Sequence, residues 1–251
     1  MRREGAKLLK TIVDNGSQAA PHSSRPKPHA IAPGLQALLD SYKSLLGEID
    51  AWYERCLQAA PPGALACRRG CSACCRGLFD ITLLDACLLR AGCAQLPTAV
   101  QTQVLVKCRP RLAELQRRWL QLANPYLLNG LADDSWTAMP EEDQTPCPLL
   151  GDDGLCLVYA CRPMTCRLHG LPNVDVSGED FSTDVCTLHP GDPHAIPAEI
   201  LLWPFRETFS REIALLRAFT LQLTGDPTSE ADTFIPLALL ADYSLFVKSE
   251  E

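Results

Sequence analysis

Nine of the thirteen cysteines in this chain fall in stretches with no helical period: Cys67, Cys71, Cys74 and Cys75 in the run CRRGCSACC, then Cys147, Cys156, Cys161, Cys166 and Cys186. Thiols gathered in loops are cross-linked, reactive or bound to metal, so this pattern constrains the fold more than any propensity does. The adjacent pair Cys74 and Cys75 weighs against cross-linking. Neighbouring Cα atoms stand about 3.8 Å apart, below the roughly 4.4 to 6.8 Å of an ordinary disulfide. In extended backbone the two side chains would point to opposite sides. Two separate sites, or one multi-iron cluster with well-separated corners, accommodate such a pair more readily than one mononuclear ion.

The compartment argues likewise. MRREGAKLLK has charges but lacks the apolar run of roughly 7 to 15 residues that a signal peptide needs, and no later run approaches the roughly 18 that span a bilayer. The expectation is a soluble cytoplasmic protein with reduced thiols, in which metal binding or redox chemistry outranks structural disulfides. With 251 residues, 47% of them hydrophobic, the chain can bury a core unaided. A net charge of −7 argues against a general nucleic-acid binder, whose surface would be basic.

Residues 1–33, rich in proline, serine and small polar side chains, read as a flexible leader, and residues 34–250 as one helical domain holding the cysteine region 67–186. Leu35, Leu38, Leu39, Tyr42, Leu45, Leu46, Ile49, Trp52, Tyr53 and Cys56 recur at three- and four-residue spacings, one apolar stripe of an α-helix that PPG at 61–63 ends. A second helix is expected with Asp80 as cap, a Phe79–Leu84 staple, and Leu84, Cys87, Leu88 and Ala91 facing inward. A third spans about Thr98 to Leu122, with Val104, Leu105, Cys108, Leu112, Leu115 and Trp119 inward and Pro110 placed to kink it. Further helices are expected near 197–223 and 235–247. Residues 124–195 carry little periodicity, which in a compact domain calls for an organising element other than packing. The fold class is therefore mainly α, a single helical domain with an irregular cysteine-rich metal-binding region.

Cys56, Cys87 and Cys108 lie on apolar stripes and read as small buried hydrophobes, and Cys93 reads more readily as core than as chemistry. Around the loop cysteines the charge is one-sided. Arg68, Arg69 and Arg76 flank the first group and Arg162 and Arg167 the second, with no acidic residue in 67–76 or 156–169. Such cations suit an anionic metal–thiolate centre, against the alternative that they pair with distant carboxylates. His169, His189 and His194 read as ordinary loop histidines, and Asp80 and Asp85 as helix-start residues.

The second group, CPLLGDDGLCLVYACRPMTCRLHG, taken with CRRGCSACC and Cys186, resembles the YkgJ or CxxCxxCC cysteine-cluster family of zinc- or iron-chelating proteins. The matching positions are Cys67, Cys71, Cys74, Cys75, Cys147 with Pro148, Cys156 with Val158 and Tyr159, Arg162, Pro163, Cys166, Arg167 and Cys186. They span under half the chain, and the first gap holds three residues where the family's name implies two. Cys161 falls at a variable position and is a second-tier ligand or a spare thiol. The resemblance implies that the other eight loop cysteines hold metal, as an iron–sulfur cluster of the 4Fe-4S kind or as Zn2+. Flagellin lysine-N-methylases share the motif, which raises the alternative of an iron–sulfur enzyme, and Cys67, Cys71 and Cys74 show the CxxxCxxC spacing of radical enzymes. No GxGxxG loop accompanies them, and the barrel such enzymes use does not suit a helical chain. A thiol redox switch is the third reading.

Overall fold

The computed structural model describes residues 32–67, 70–131, 143–182, 186, 188, 196–225 and 231–243. The expected leader therefore lies almost wholly outside the described residues, as do Arg68, Arg69, His189 and His194.

Helix α1, Pro33–Ala59, is the long amphipathic helix of the sequence, opened by proline in its first turn and closed before Pro61. Its stripe buries Leu35, Leu39, Tyr42, Leu45, Leu46, Ile49, Trp52 and Cys56. Trp52 is fully enclosed, and its indole N–H donates to Leu201 O at 3.1 Å, so no polar atom is stranded there.

The second helix starts differently from expectation. Asp80–Thr82 is strand β1, paired antiparallel with β5, Asp232–Phe234, in the register Asp80 to Phe234. Helix α2 then runs Leu83–Ala94, and its cap is Thr82, whose hydroxyl accepts from Asp85 N at 3.3 Å. Asp80 cannot cap because its backbone belongs to the ladder. The inner face is also wider than read: Leu83, Leu84, Asp85, Ala86, Leu88, Leu89, Gly92 and Cys93 are buried, Cys87 is half-buried and Ala91 is exposed.

Helix α3, Thr98–Arg118, runs unbroken through Pro110, which sits on its exposed side, and stops short of Leu122. Val104, Cys108 and Leu115 are buried, while Leu105 and Leu112 are only partly so. Past its end Trp119, Leu122, Leu128 and Leu131 join Phe234 and Leu237 in a second small core.

The remaining elements are short until the last long helix. They are α4 (Met164–Leu168), β2 (Asn173–Asp175), β3 (Asp180–Ser182), α5 (Ala198–Leu201) and β4 (Leu202–Trp203), followed by α6 (Phe205–Thr224) and α7 (Ile235–Leu240). Strand β2 pairs antiparallel with β3 and parallel with β4. The helix expected from 197 is thus interrupted by β4, and Pro204 stands at the N-cap of α6. The described residues form a mainly α fold with two very small sheets, and none of their helices is long and apolar enough to cross a membrane. Cys56, Cys93 and Cys108 are core residues, and Cys87 packs against the same core.

Asp85 does more than start a helix. It is buried, and its Oδ1 accepts from Tyr42 Oη at 2.9 Å and from Met164 N at 3.2 Å. The Tyr42 hydroxyl also stands 3.2 Å from Glu212 Oε1 on α6. One hydroxyl proton cannot serve both carboxylates, so a second proton is required. Burial raises the Asp85 carboxyl to about 7, against hydrogen bonds from Tyr42 and Met164 and the charge of Arg167. Burial, then the Asp85 charge, raises Glu212 to about 8. Both bind protons more tightly folded than unfolded, so their contribution to stability is complete below about pH 4 and is lost as pH rises towards about 8. Glu212→Gln keeps the hydrogen bond without the charge. Its unfolding free energy in urea should match the wild type at pH 4 and exceed it at pH 8.5 by about 1 kcal/mol, a value discounted for solvent screening at this half-buried site. An equal difference at both pH values would contradict the proton count.

Candidate metal centre

The loop cysteines are brought together by local turns on a helical base. In the first group Cys75 N donates to Ser72 O at 3.0 Å, a turn rather than the extended backbone assumed from sequence. A short antiparallel contact follows: Cys147 N donates to Cys75 O at 2.9 Å, Gly77 N donates to Thr145 O at 2.8 Å, and Arg76 faces Pro146. It lays Cys147 beside Cys75 across a gap of 72 positions (147 less 75). Residues 147–157 then form a hairpin, with Leu157 N donating to Leu149 O at 2.9 Å and Cys156 opposite Leu150. A 3-10 turn at Tyr159–Cys161 and helix α4 complete the segment, and α4 carries Cys166.

This segment is strapped to α1 by charge. Arg162 Nη2 meets Asp50 Oδ1 at 2.7 Å, and Arg167 Nη1 pairs with Asp50 Oδ2. Arg167 is otherwise saturated by backbone, with Nε donating to Arg162 O at 3.0 Å and Nη2 to Ala160 O at 2.9 Å. The expectation that both arginines serve the thiols is corrected here: Arg167 is committed to a distant carboxylate. Arg162 does both, since its charge also reaches Cys74, raised by its hydrogen bond to Cys75 and by burial, and Cys156, raised by burial, and opposes the rise at each. Arg76 is exposed and donates to Gln144 O at 3.4 Å.

The electrostatic neighbours of the eight motif cysteines fall into two neighbourhoods that overlap at Cys74. Burial raises the Cys67 thiol, Tyr53 opposes this by donating to its sulfur, and the thiols of Cys186, Cys71 and Cys74 add to the rise. The Cys75 thiol is lowered by the hydrogen bond it accepts from Cys74, against burial and against the thiols of Cys147, Cys166 and Cys156. Burial dominates at Cys166, which is raised further by Cys147, Asp85, Cys156 and Cys74. Cys67 thus has Cys186, Cys71 and Cys74 around it and Cys75 has Cys147, Cys156 and Cys166, with Cys74 reaching both neighbourhoods.

The groups differ in setting. Cys147, Cys156 and Cys166 pack against the main core, whereas Cys67, Cys71 and Cys186 are half-buried outside it and Cys74 is exposed. At the outer group Tyr53 Oη donates to Cys67 Sγ at 3.1 Å and lies 3.4 Å from His169 O, while Cys186 N donates to Gly170 O at 3.3 Å. Gly170 has φ +106°, and a Cβ there would stand 3.3 Å from Tyr53 Oη and 3.5 Å from Cys67 Sγ. Only glycine leaves that cradle open.

Cys161 is placed by packing. It lies against α2 where Gly92 lacks a side chain, and a Cβ at Gly92 would fall 2.8 Å from Cys161 Sγ and 3.0 Å from its Cβ. Gly92→Ala should cost about 1 to 2 kcal/mol in urea unfolding despite the better helix propensity of alanine. Cys161→Ala should relieve part of that cost and leave metal content unchanged; loss of metal in that single variant would make Cys161 a ligand instead.

The donors are of the kind that a thiolate-bound metal takes. Backbone N–H groups are also aimed at the sulfurs. At Cys147 burial raises the thiol to about 11, against hydrogen bonds from the backbone at Leu149 and Leu150. At Cys156 burial raises it, against the N–H of Val158 and the charge of Arg162. Donors of this sort favour a charged sulfur over a neutral one. Among the described residues no three His, Cys, Asp or Glu side chains stand close enough to enclose an ion as they are. His169 is exposed, its ring edge-on to Phe79 at 6.3 Å. Sequence reading missed Tyr53 and Gly170; the one cue was a tyrosine on α1 at the helix end nearest the cysteine loop. No family model matches the chain, and neither a curated protein nor a solved structure does.

Proposed function

We propose that the chain is a metal-binding protein in which Cys67, Cys71, Cys74 and Cys186, and separately Cys75, Cys147, Cys156 and Cys166, hold iron–sulfur clusters or Zn2+ for structure, metal handling or electron transfer. The observation that supports this reading is the approach of Cys75 to Cys147, Cys156 and Cys166, and of Cys67 to Cys186, Cys71 and Cys74, thiols drawn from segments far apart in sequence. Thiols have no mutual attraction to justify such convergence, and burying them is costly in the charged form that a metal stabilises. The resemblance to the cysteine-cluster family points the same way. When bound, the metal supplies thiolate coordination energy to residues 143–168 and, if it is an iron–sulfur cluster, a one-electron couple. The chain's own part is to present the sulfurs, direct N–H groups at Cys147 and Cys156, and place Arg162 near the anionic centre.

Purification without oxygen, followed by visible absorption and measurement of iron, sulfide and zinc per chain, tests this. Iron with matching sulfide and a broad absorption near 400 nm, a typical iron–sulfur feature at about that wavelength, identifies clusters; colourless protein with about two zinc ions identifies zinc. Neither metal in stoichiometric amount would reject the proposal.

A further inference from the structure

We infer that the two four-thiolate groups are unequal in function: the outer one, Cys67, Cys71, Cys74 and Cys186, is an exchange site whose metal leaves readily, and the Tyr53 hydroxyl sets how readily. This rests on the metal-binding reading above. The inner group shares its atoms with the fold. Cys147, Cys156 and Cys166 pack against the main core, Cys147 is tied by backbone to Cys75, and the strap between Cys156 and Cys166 is pinned to α1 through Asp50. Releasing a metal there means loosening packed structure.

The outer group has no such backing. None of its four cysteines belongs to the core, and Cys74 is exposed, so a competing ligand can reach the site with the helices in place. What holds it is narrower. Tyr53 packs on the core and donates to Cys67 Sγ at 3.1 Å, and Gly170 leaves room for that contact with Cys186 alongside. A hydrogen bond to a coordinating sulfur withdraws charge and fixes its direction, and removing such a partner typically changes metal affinity about 10- to 100-fold. Tyr53 is thus a positioning residue acting through Cys67, with no role as a ligand itself.

The test uses the full chain as purified without oxygen, challenged with excess EDTA, with iron and zinc remaining on the protein followed over time. About half the metal should leave in an early phase and the rest only as the fold opens, seen by near-ultraviolet circular dichroism. Tyr53→Phe, which keeps the ring, should speed the early phase about tenfold and leave the late phase and the dichroism unchanged. Cys71→Ser should abolish the early phase alone. Loss in one phase, an early phase insensitive to Tyr53→Phe, or removal of both phases by Cys71→Ser would overturn the inference while the metal-binding reading stands. A chain that carries no metal from the outset would overturn both.

Discussion

Replacing Cys166 with serine is expected to strip the inner site and to cost several kcal/mol of stability, with rapid proteolysis of residues 143–168 as its local signature. The reason lies in how little else orders that segment. It contains one short hairpin, one 3-10 turn and a five-residue helix, Met164–Leu168. Helices of that length are not stable by themselves, and a structural zinc bound by four thiolates contributes roughly 10 to 16 kcal/mol in small domains. Losing one ligand forfeits much of that energy. Cys56→Ala provides the contrast: Cys56 is fully buried on α1, its thiol donates to Ile200 O at 3.5 Å, and the change removes packing and that weak bond but no motif cysteine. Equilibrium unfolding in urea with metal analysis of both variants decides the matter. A Cys166→Ser protein with full metal content and an unchanged midpoint would remove Cys166 from the ligand set, and with it the assignment of the inner group.

The same comparison shows what was legible in the chain. Helix α1 was readable almost to its ends because its stripe is local and periodic, and Pro33 and Pro61 punctuate it. The start of α2 was not, because strand β1 forms against Asp232–Phe234, about 150 positions later, and no local signal marks such pairing. The thiols were found by clustering, and the adjacent pair was recognised as awkward for a single ion. The physical picture of that pair differs from the extended backbone: a turn places Cys74 within hydrogen-bonding distance of Cys75. The arginines misled for a further reason. An absence of acidic residues in 156–169 says nothing about Asp50, which reaches Arg162 and Arg167 only after the chain has folded.

That pairing predicts the second large effect, in a residue outside the thiol motif. Asp50→Ala leaves two cations facing one gap. The Arg167 side chain is 4% exposed and that of Arg162 13%, whereas Asp50 is 40% exposed. Removing the anion from a buried pair costs roughly 3 to 5 kcal/mol because the cation stays desolvated, and the partial exposure of Asp50 sets the expectation at the lower end, about 3 kcal/mol. Arg167 cannot turn to solvent for relief, since its Nε and Nη2 are held by the carbonyls of Arg162 and Ala160. The strain therefore falls on residues 156–168, which carry Cys156 and Cys166, and metal at the inner site should be lost to EDTA faster than in the wild type. Restoring neutrality discriminates this account from a simple packing defect. Adding Arg167→Met to Asp50→Ala removes the more deeply buried cation and should recover about half of the lost stability, with Arg162 then free to reorient. A double variant no more stable than Asp50→Ala would show that the strap is held by something other than this ion pair.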